Sequence, residues 1–414
     1  MNNKKLRLLI ILELLPRFRD FASGIARTLR FKRGHNPFLT AGLSAPSFPV
    51  SFSAIRAFLL TAWIFTIVCA SAVYPLGIDA VPPMPPKAPA SIIPLLHDDL
   101  VKGLNFIYHD RFETGLELFE KVRKTHPDHP APYFFKAAAY QSWMNTFRIN
   151  TYQQLMEEHI NLTIEKGNER LKTENNAWIH FFIGAAHGYR AFNRFRKYEW
   201  IGAYLDATRG VNYFQTAMET DPSIYDVYLG LGSYHYWRTA KSKFLRVIAF
   251  WIPDKRELGL RQLDFTRQYA VYARDEAVYN LIVAYYDSGL YDEALSVIDQ
   301  NIKGKLFPNV ADLYYKGRLL IKFERWPEVE SVFKSLIRRL EYLNCPTPGY
   351  QAECKYWIAL SLKKQNRRKE AFEWLEAALS QNNKRTMEIE INGPLESYEE
   401  TEANMRILYN GLSN

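Results

Sequence analysis

Cysteine is scarce in this chain. Its 414 residues include three, Cys69, Cys345 and Cys354, and no two are close enough in sequence for a thiolate zinc motif. An HExxH helix is also missing, which removes the common helical zinc-hydrolase signature. Most of the chain lacks an excess of either charge as well. The formal net charge is +9, yet ten of the 53 basic residues and only two of the 44 acidic ones lie before Val73, leaving 43 and 42 for the rest. A body that close to neutral offers no broad positive field, so nucleic acid is not an expected partner. Methionine is absent between Met1 and the first long apolar run, so a shorter product would need a different start codon.

That run, Ala57 to Leu76, carries no charge and follows Arg56 directly. It has about the minimum length of a transmembrane helix, ending before Pro75 or Gly77. It also ends in Ala70-Ser71-Ala72, a small-x-small pattern at which a secretory signal would be cleaved. Both readings keep the basic leader 1–56 in the cytoplasm and place the rest of the chain across the membrane. The body is then either exported on a membrane tether or released into the periplasm after cleavage near Ala72. Residues 78–94 form a linker in which Pro82 to Pro94 is dense in proline, favouring extended chain. The expected use of this linker is to hold the body off the bilayer.

From residue 95 the pattern is helical hairpins. The clearest spans Asp275 to Asn309, with Val278, Leu281, Ile282 and Tyr285 on one helix face, a Ser288-Gly289 turn, and Ala294, Ile298 and Ile302 on a second. Units follow at Val310 to about Tyr342 and Ala352 to about Lys384. Earlier ones run from His97 to His129, from Tyr133 to Leu171, and from Ala177 to Pro222. In the last of these Gly184 and Gly210 lie 26 apart, against the usual 12, which requires longer helices or a longer turn. A fourth hairpin begins at Tyr228, Leu231, Gly232 and His235 and is interrupted by an insertion, Lys241 to Arg256. The tail 386–414 includes a possible capping helix from Ser397 to Tyr409, with Met405, Ile407 and Leu408 on its inner side.

These residues resemble the tetratricopeptide repeat (TPR) superfamily over about Leu95 to Gln381. The whole chain resembles membrane-attached bacterial repeat proteins of unassigned role. The fold class is therefore all-α, a TPR-like solenoid of about seven hairpins over 95–385. The resemblance implies a right-handed superhelix whose concave face binds a peptide, a helix or another protein.

Rings and arginines concentrate in the middle repeats. Trp178, Tyr189, Arg190, Arg194, Arg196, Tyr228, Tyr236 and Trp237 are the expected protein-binding groove, because aromatic and arginine residues anchor interfaces. The insertion carries Phe244, Phe250 and Trp251 between basic ends and is a candidate membrane contact. His180, His187 and His235 are the one group that would suit a small-ligand or catalytic pocket, although no carboxylate or thiolate spacing supports a metal. Cys345 and Cys354 flank a proline-containing loop and would form a disulfide in an oxidising compartment if their geometry allowed. Asn161-Leu162-Thr163 matches a glycosylation acceptor in a helical context that does not favour it. The expected function is a non-enzymatic protein-interaction scaffold at the cell envelope, without a cofactor or metal. Its rivals are an enzyme or ligand-binding protein at the histidines and a self-associating structural subunit.

Overall fold

The structure, a computed structural model, describes residues 79, 81–197, 199–240 and 253–413. The leader, the apolar run 57–77, Cys69, and insertion residues Phe244, Phe250 and Trp251 lie outside them. The described residues contain fifteen α-helices and no strand beyond a single bridge between Ile149 and Glu390. No described helix is long and apolar enough to cross a membrane.

Fourteen helices pair into seven hairpins. They are α1 (His97–Ile107) with α2 (Phe112–Thr125), α3 (Pro130–Phe147) with α4 (Gln153–Arg170), and α5 (Ala177–Arg196) with α6 (Trp200–Thr220). Then come α7 (Val227–Ala240) with α8 (Arg256–Tyr269), α9 (Arg274–Ser288) with α10 (Tyr291–Ile302), α11 (Val310–Lys322) with α12 (Trp326–Tyr342), and α13 (Pro348–Lys364) with α14 (Arg368–Asn382). Helix α15 (Tyr398–Ser413) closes the end. It buries Met405, Leu408 and Leu412, whereas Ile407, expected on the inner side, is 69% exposed.

The starts are set locally. Asn176 caps α5 by accepting from Trp178 N at 2.9 Å, and Asn309 with Asp312 forms a capping box on α11. Prolines occupy the first turns of α3, α12 and α13, where no backbone donor is lost. The turn between the two helices of a hairpin, its elbow, repeatedly uses one left-handed residue: Asp110, Arg148, Gly289, Glu324 and Asn366.

Small residues let the paired helices touch. In the third hairpin α5 and α6 run to 20 and 21 residues, so longer helices, rather than a longer turn, account for the wide glycine spacing. Gly184 and Gly210 still meet backbone to backbone, as Gly103 and Gly115 do, and as Gly232 and Gly259 do in the fourth.

The array coils far enough to rest on itself. The first elbow sits on the connections of later hairpins: Asn309 Nδ2 donates to Tyr108 O at 2.9 Å, Val310 N to Asp110 Oδ2 at 3.1 Å, and Arg339 Nη2 to the same carboxylate at 2.9 Å. The second elbow does likewise. Thr347 Oγ1 donates to Phe147 O at 2.8 Å, Ile391 N to Arg148 O at 2.8 Å, and Asn150 N to Ile389 O at 2.9 Å. At its centre Arg148, 2% exposed, is paired with Glu353 at 2.5 Å and lies 3.6 Å from the centre of the Tyr350 ring. Arg318 joins Glu353 at 3.0 Å and Glu396 at 3.0 Å.

The proline-rich linker lies on the body as a strap. Asp79 pairs with Lys255 and lies 3.3 Å from His235 Nε2. Tyr225 OH donates to Ala88 O at 2.7 Å, Ser91 N to Ser223 O at 3.0 Å, Trp178 Nε1 to Ser91 Oγ at 3.1 Å, and Ile93 N to Tyr272 OH at 3.0 Å. The strap's own Pro82 and Ile93, and Leu96 just after it, are buried.

Candidate protein-binding strip

First helices of successive hairpins touch along one line. Tyr189 of α5 packs against Phe134 of α3 with ring centres 5.6 Å apart. Ser233 of α7 faces Asn280 of α9 at 3.5 Å, and Tyr279 of α9 stacks on Tyr315 of α11 at 6.0 Å. Tyr108, from the first elbow, reaches across to donate to Glu276 Oε2 at 3.0 Å and stacks with Tyr279. Tyr189, Trp237, Glu276, Tyr279 and Tyr315 are all half-buried. Burial raises the Glu276 carboxyl, and burial together with the Glu276 charge raises the Tyr108 and Tyr189 phenols. Such a strip offers flat rings, hydroxyl donors and one carboxylate, a set suited to contacting a polypeptide.

The expected groove residues divide three ways. Trp178, Tyr228 and Tyr236 are at most 4% exposed and belong to the packing core: Trp178 edges Tyr272 at 5.1 Å, Tyr228 edges Phe265 at 5.3 Å, and Tyr236 OH donates to Ala284 O at 2.7 Å. Tyr189 stays half-buried on the strip, and Trp237 is half-buried with its ring against Tyr236. Arg190 and Arg194 converge on Asp206, which is completely buried, at 3.1 and 2.5 Å, with Arg209 at 3.4 Å. Burial raises the Asp206 carboxyl, but hydrogen bonds from Arg190 and His187 and the nearby guanidiniums override it and hold the group below its usual range. Arg196 is exposed at the end of α5. Sequence reasoning missed Tyr108, Glu276, Tyr279 and Tyr315, although Glu276 and Tyr279 are three apart and so share a helix face.

The histidines do not converge. His180 faces Asn175 Oδ1 at 2.8 Å, His187 faces Asp206 at 3.0 Å, and His235 faces Gln262 of α8 at 2.7 Å. Among the described residues no group of three side chains is placed to hold a metal. Two surface depressions of about 420 and 410 Å³ lie between α1 and the start of α9 and between α14 and α15, and neither is lined by these histidines. Cys345 and Cys354 are both free and buried, and Cys345 Sγ lies 3.0 Å from Thr347 Oγ1, so the expected disulfide is not formed.

Burial holds His180, His187 and His235 below the ordinary imidazole range, and burial with Arg170 and His126 pushes His129 down to about 4. As pH falls below about 6.5, unfolded chains take up protons first. The histidines' contribution is therefore full above that value and is lost toward pH 4. By calorimetry, the change in melting temperature between pH 7 and pH 5 should be less unfavourable in His129→Gln than in the unsubstituted chain; equal changes would contradict this burial of a neutral imidazole.

No protein-family model and no curated protein matches the chain. Among solved structures it is similar to the C-terminal part of a TPR repeat-containing protein from Cytophaga hutchinsonii, with 15% identity, 69% of this chain and 96% of that one covered, and a TM-score of 0.36. It is also similar to yeast Tom70, with 14% identity, 88% and 75% covered and a TM-score of 0.35. A third likeness is to Naa15/Naa10 bound to HypK-THB, with 13% identity and a TM-score of 0.31; it covers 76% of this chain and 39% of that one. The assignment to a TPR-like solenoid rests on the hairpins' own packing.

Proposed function

We propose that the protein is a non-enzymatic scaffold, tethered to a membrane through residues 57–77 with its repeats on the far side, that holds a protein partner along the strip of Tyr189, Glu276, Tyr279 and Tyr315. The observation that carries this reading is the set of half-buried rings Tyr189, Tyr279 and Tyr315, contributed by first helices of the third, fifth and sixth hairpins, with Tyr279 stacked on Tyr315. A deep core would have sealed such rings, and a plain solvated face would have used charged side chains. The tether is supported by the uncharged run beginning directly after Arg56.

A photo-crosslinking residue at position 280, half-buried on the same strip, used in native membranes, should capture a discrete partner. Alanine at both Tyr189 and Tyr315 should lower its recovery by about tenfold or more, as anchor rings do. Leu306→Ala, 84% exposed and contributing no ring to the strip, should leave recovery unchanged. Equal recovery from the double variant, with its helical circular dichroism intact, would remove the strip from the binding surface.

A further inference from the structure

We infer that the elbow of the third hairpin is a lipid-contacting surface that seats the repeat body on the bilayer; this rests on the tether proposed above. Four large apolar side chains are exposed within fourteen residues there: Phe192 at 48%, Trp200 at 49%, Ile201 at 63% and Leu205 at 42%. The same stretch, 190–209, holds five basic residues against Glu199 and Asp206. Tryptophan rings and long cationic stems with apolar bases suit the headgroup boundary, and the excess of positive charge suits anionic lipid.

Position on the chain selects lipid as the occupant. Helix α5 continues twelve residues beyond Gly184, the crossing glycine, whereas α1 continues four beyond Gly103 and α11 five beyond Gly317. At 1.5 Å per residue the third elbow projects about 10–12 Å farther than those. Asp79 is pinned to Lys255, just ahead of α8, at the elbow of the neighbouring fourth hairpin. Asp79 comes two residues after Gly77, at most about 7 Å of chain. The described body therefore ends, in the direction of the apolar run, on its elbow side, the side of the projecting apolar side chains, so a tether starting there needs no soluble partner to bring them to the bilayer. Leu306, in the connection from α10 to α11, occupies the opposite edge of its hairpin.

The test uses the full chain in vesicles of zwitterionic and anionic phospholipid, with an environment-sensitive fluorophore on Ile201→Cys or Leu306→Cys and a lipid-borne quencher. The unsubstituted chain gives the background from native thiols. The label at 201 should lose about half its emission or more, as an interfacial side chain does, while the label at 306 keeps it. Adding Leu205→Asp should restore emission at 201. A chain that resists alkaline extraction yet shows no quenching at 201 overturns the orientation and leaves the tether standing. A chain stripped by alkali overturns the tether, and this orientation falls with it. Shielding of 201 in native membranes but not in pure lipid would make the elbow a protein-docking site and overturn the lipid assignment.

Discussion

Glu353→Gln should lower the unfolding free energy by about 3–5 kcal/mol, because it removes the shared counter-charge of two buried guanidiniums. Glu353 is 1% exposed and lies between Arg148, 2% exposed, and Arg318, 7% exposed. Burial alone would raise its carboxyl, but the two arginines override that and hold it below the usual carboxylate range. The amide keeps the shape and forfeits the charge, so Arg148 is left desolvated against the Tyr350 and Tyr314 rings. The exposed pair Arg325–Glu328 provides the contrast: Glu328→Gln should cost less than about 1 kcal/mol, since water already screens it. Denaturant titration of both variants decides the matter, and a loss below about 1 kcal/mol for Glu353→Gln would show that the cluster is not a lock. Glu353 contributes above the ordinary carboxylate range, and its contribution is lost as pH falls through its lowered folded value.

Gly259→Ala should destabilise by about 1–3 kcal/mol or more although alanine is the better helix former. A Cβ there would stand 2.7 Å from Gly232 O and 2.7 Å from Tyr236 N, and neither backbone atom can swing aside. Gly188→Ala is the counterpart. Nothing lies within 4 Å of its Cβ position in the middle of α5, so the same substitution should gain up to about 1 kcal/mol from helix propensity. Opposite signs from one chemical change would establish that the glycine crossings, rather than flexibility, set the helix spacing. A gain at both positions would mean that the fourth hairpin can spread without penalty.

The hairpins were legible because each carries its own period. Apolar stripes, small residues at the crossings and Gly289 at a turn are local signals, and seven paired units follow from them. The ring assignments failed where local pattern does not separate the face toward the partner helix from the face toward the groove. One signal was available: Tyr228 and Tyr236 lie four residues on either side of Gly232 and so share the face of the crossing glycine, whereas Trp237 is turned away from it. Arg190 and Arg194 looked like interface anchors because Asp206, which they enclose, lies on another helix. The self-contact was not legible at all. Arg148 and Glu353 are separated by 205 residues, and no periodicity links an elbow arginine to a glutamate five hairpins later.

Self-contact also bears on how the chain is made. Asn150 at the second elbow donates to Glu388 O, 238 residues downstream. At ribosomal rates of about 5–20 residues per second, the opening pair of hairpins waits on the order of 12–48 s for the segment it rests against. During that interval Arg148 has no Glu353 and its surrounding rings are wet, so the nascent chain is most exposed to proteases and chaperones at its beginning. Completion of synthesis, rather than emergence of each repeat, is then the event that makes the early hairpins secure.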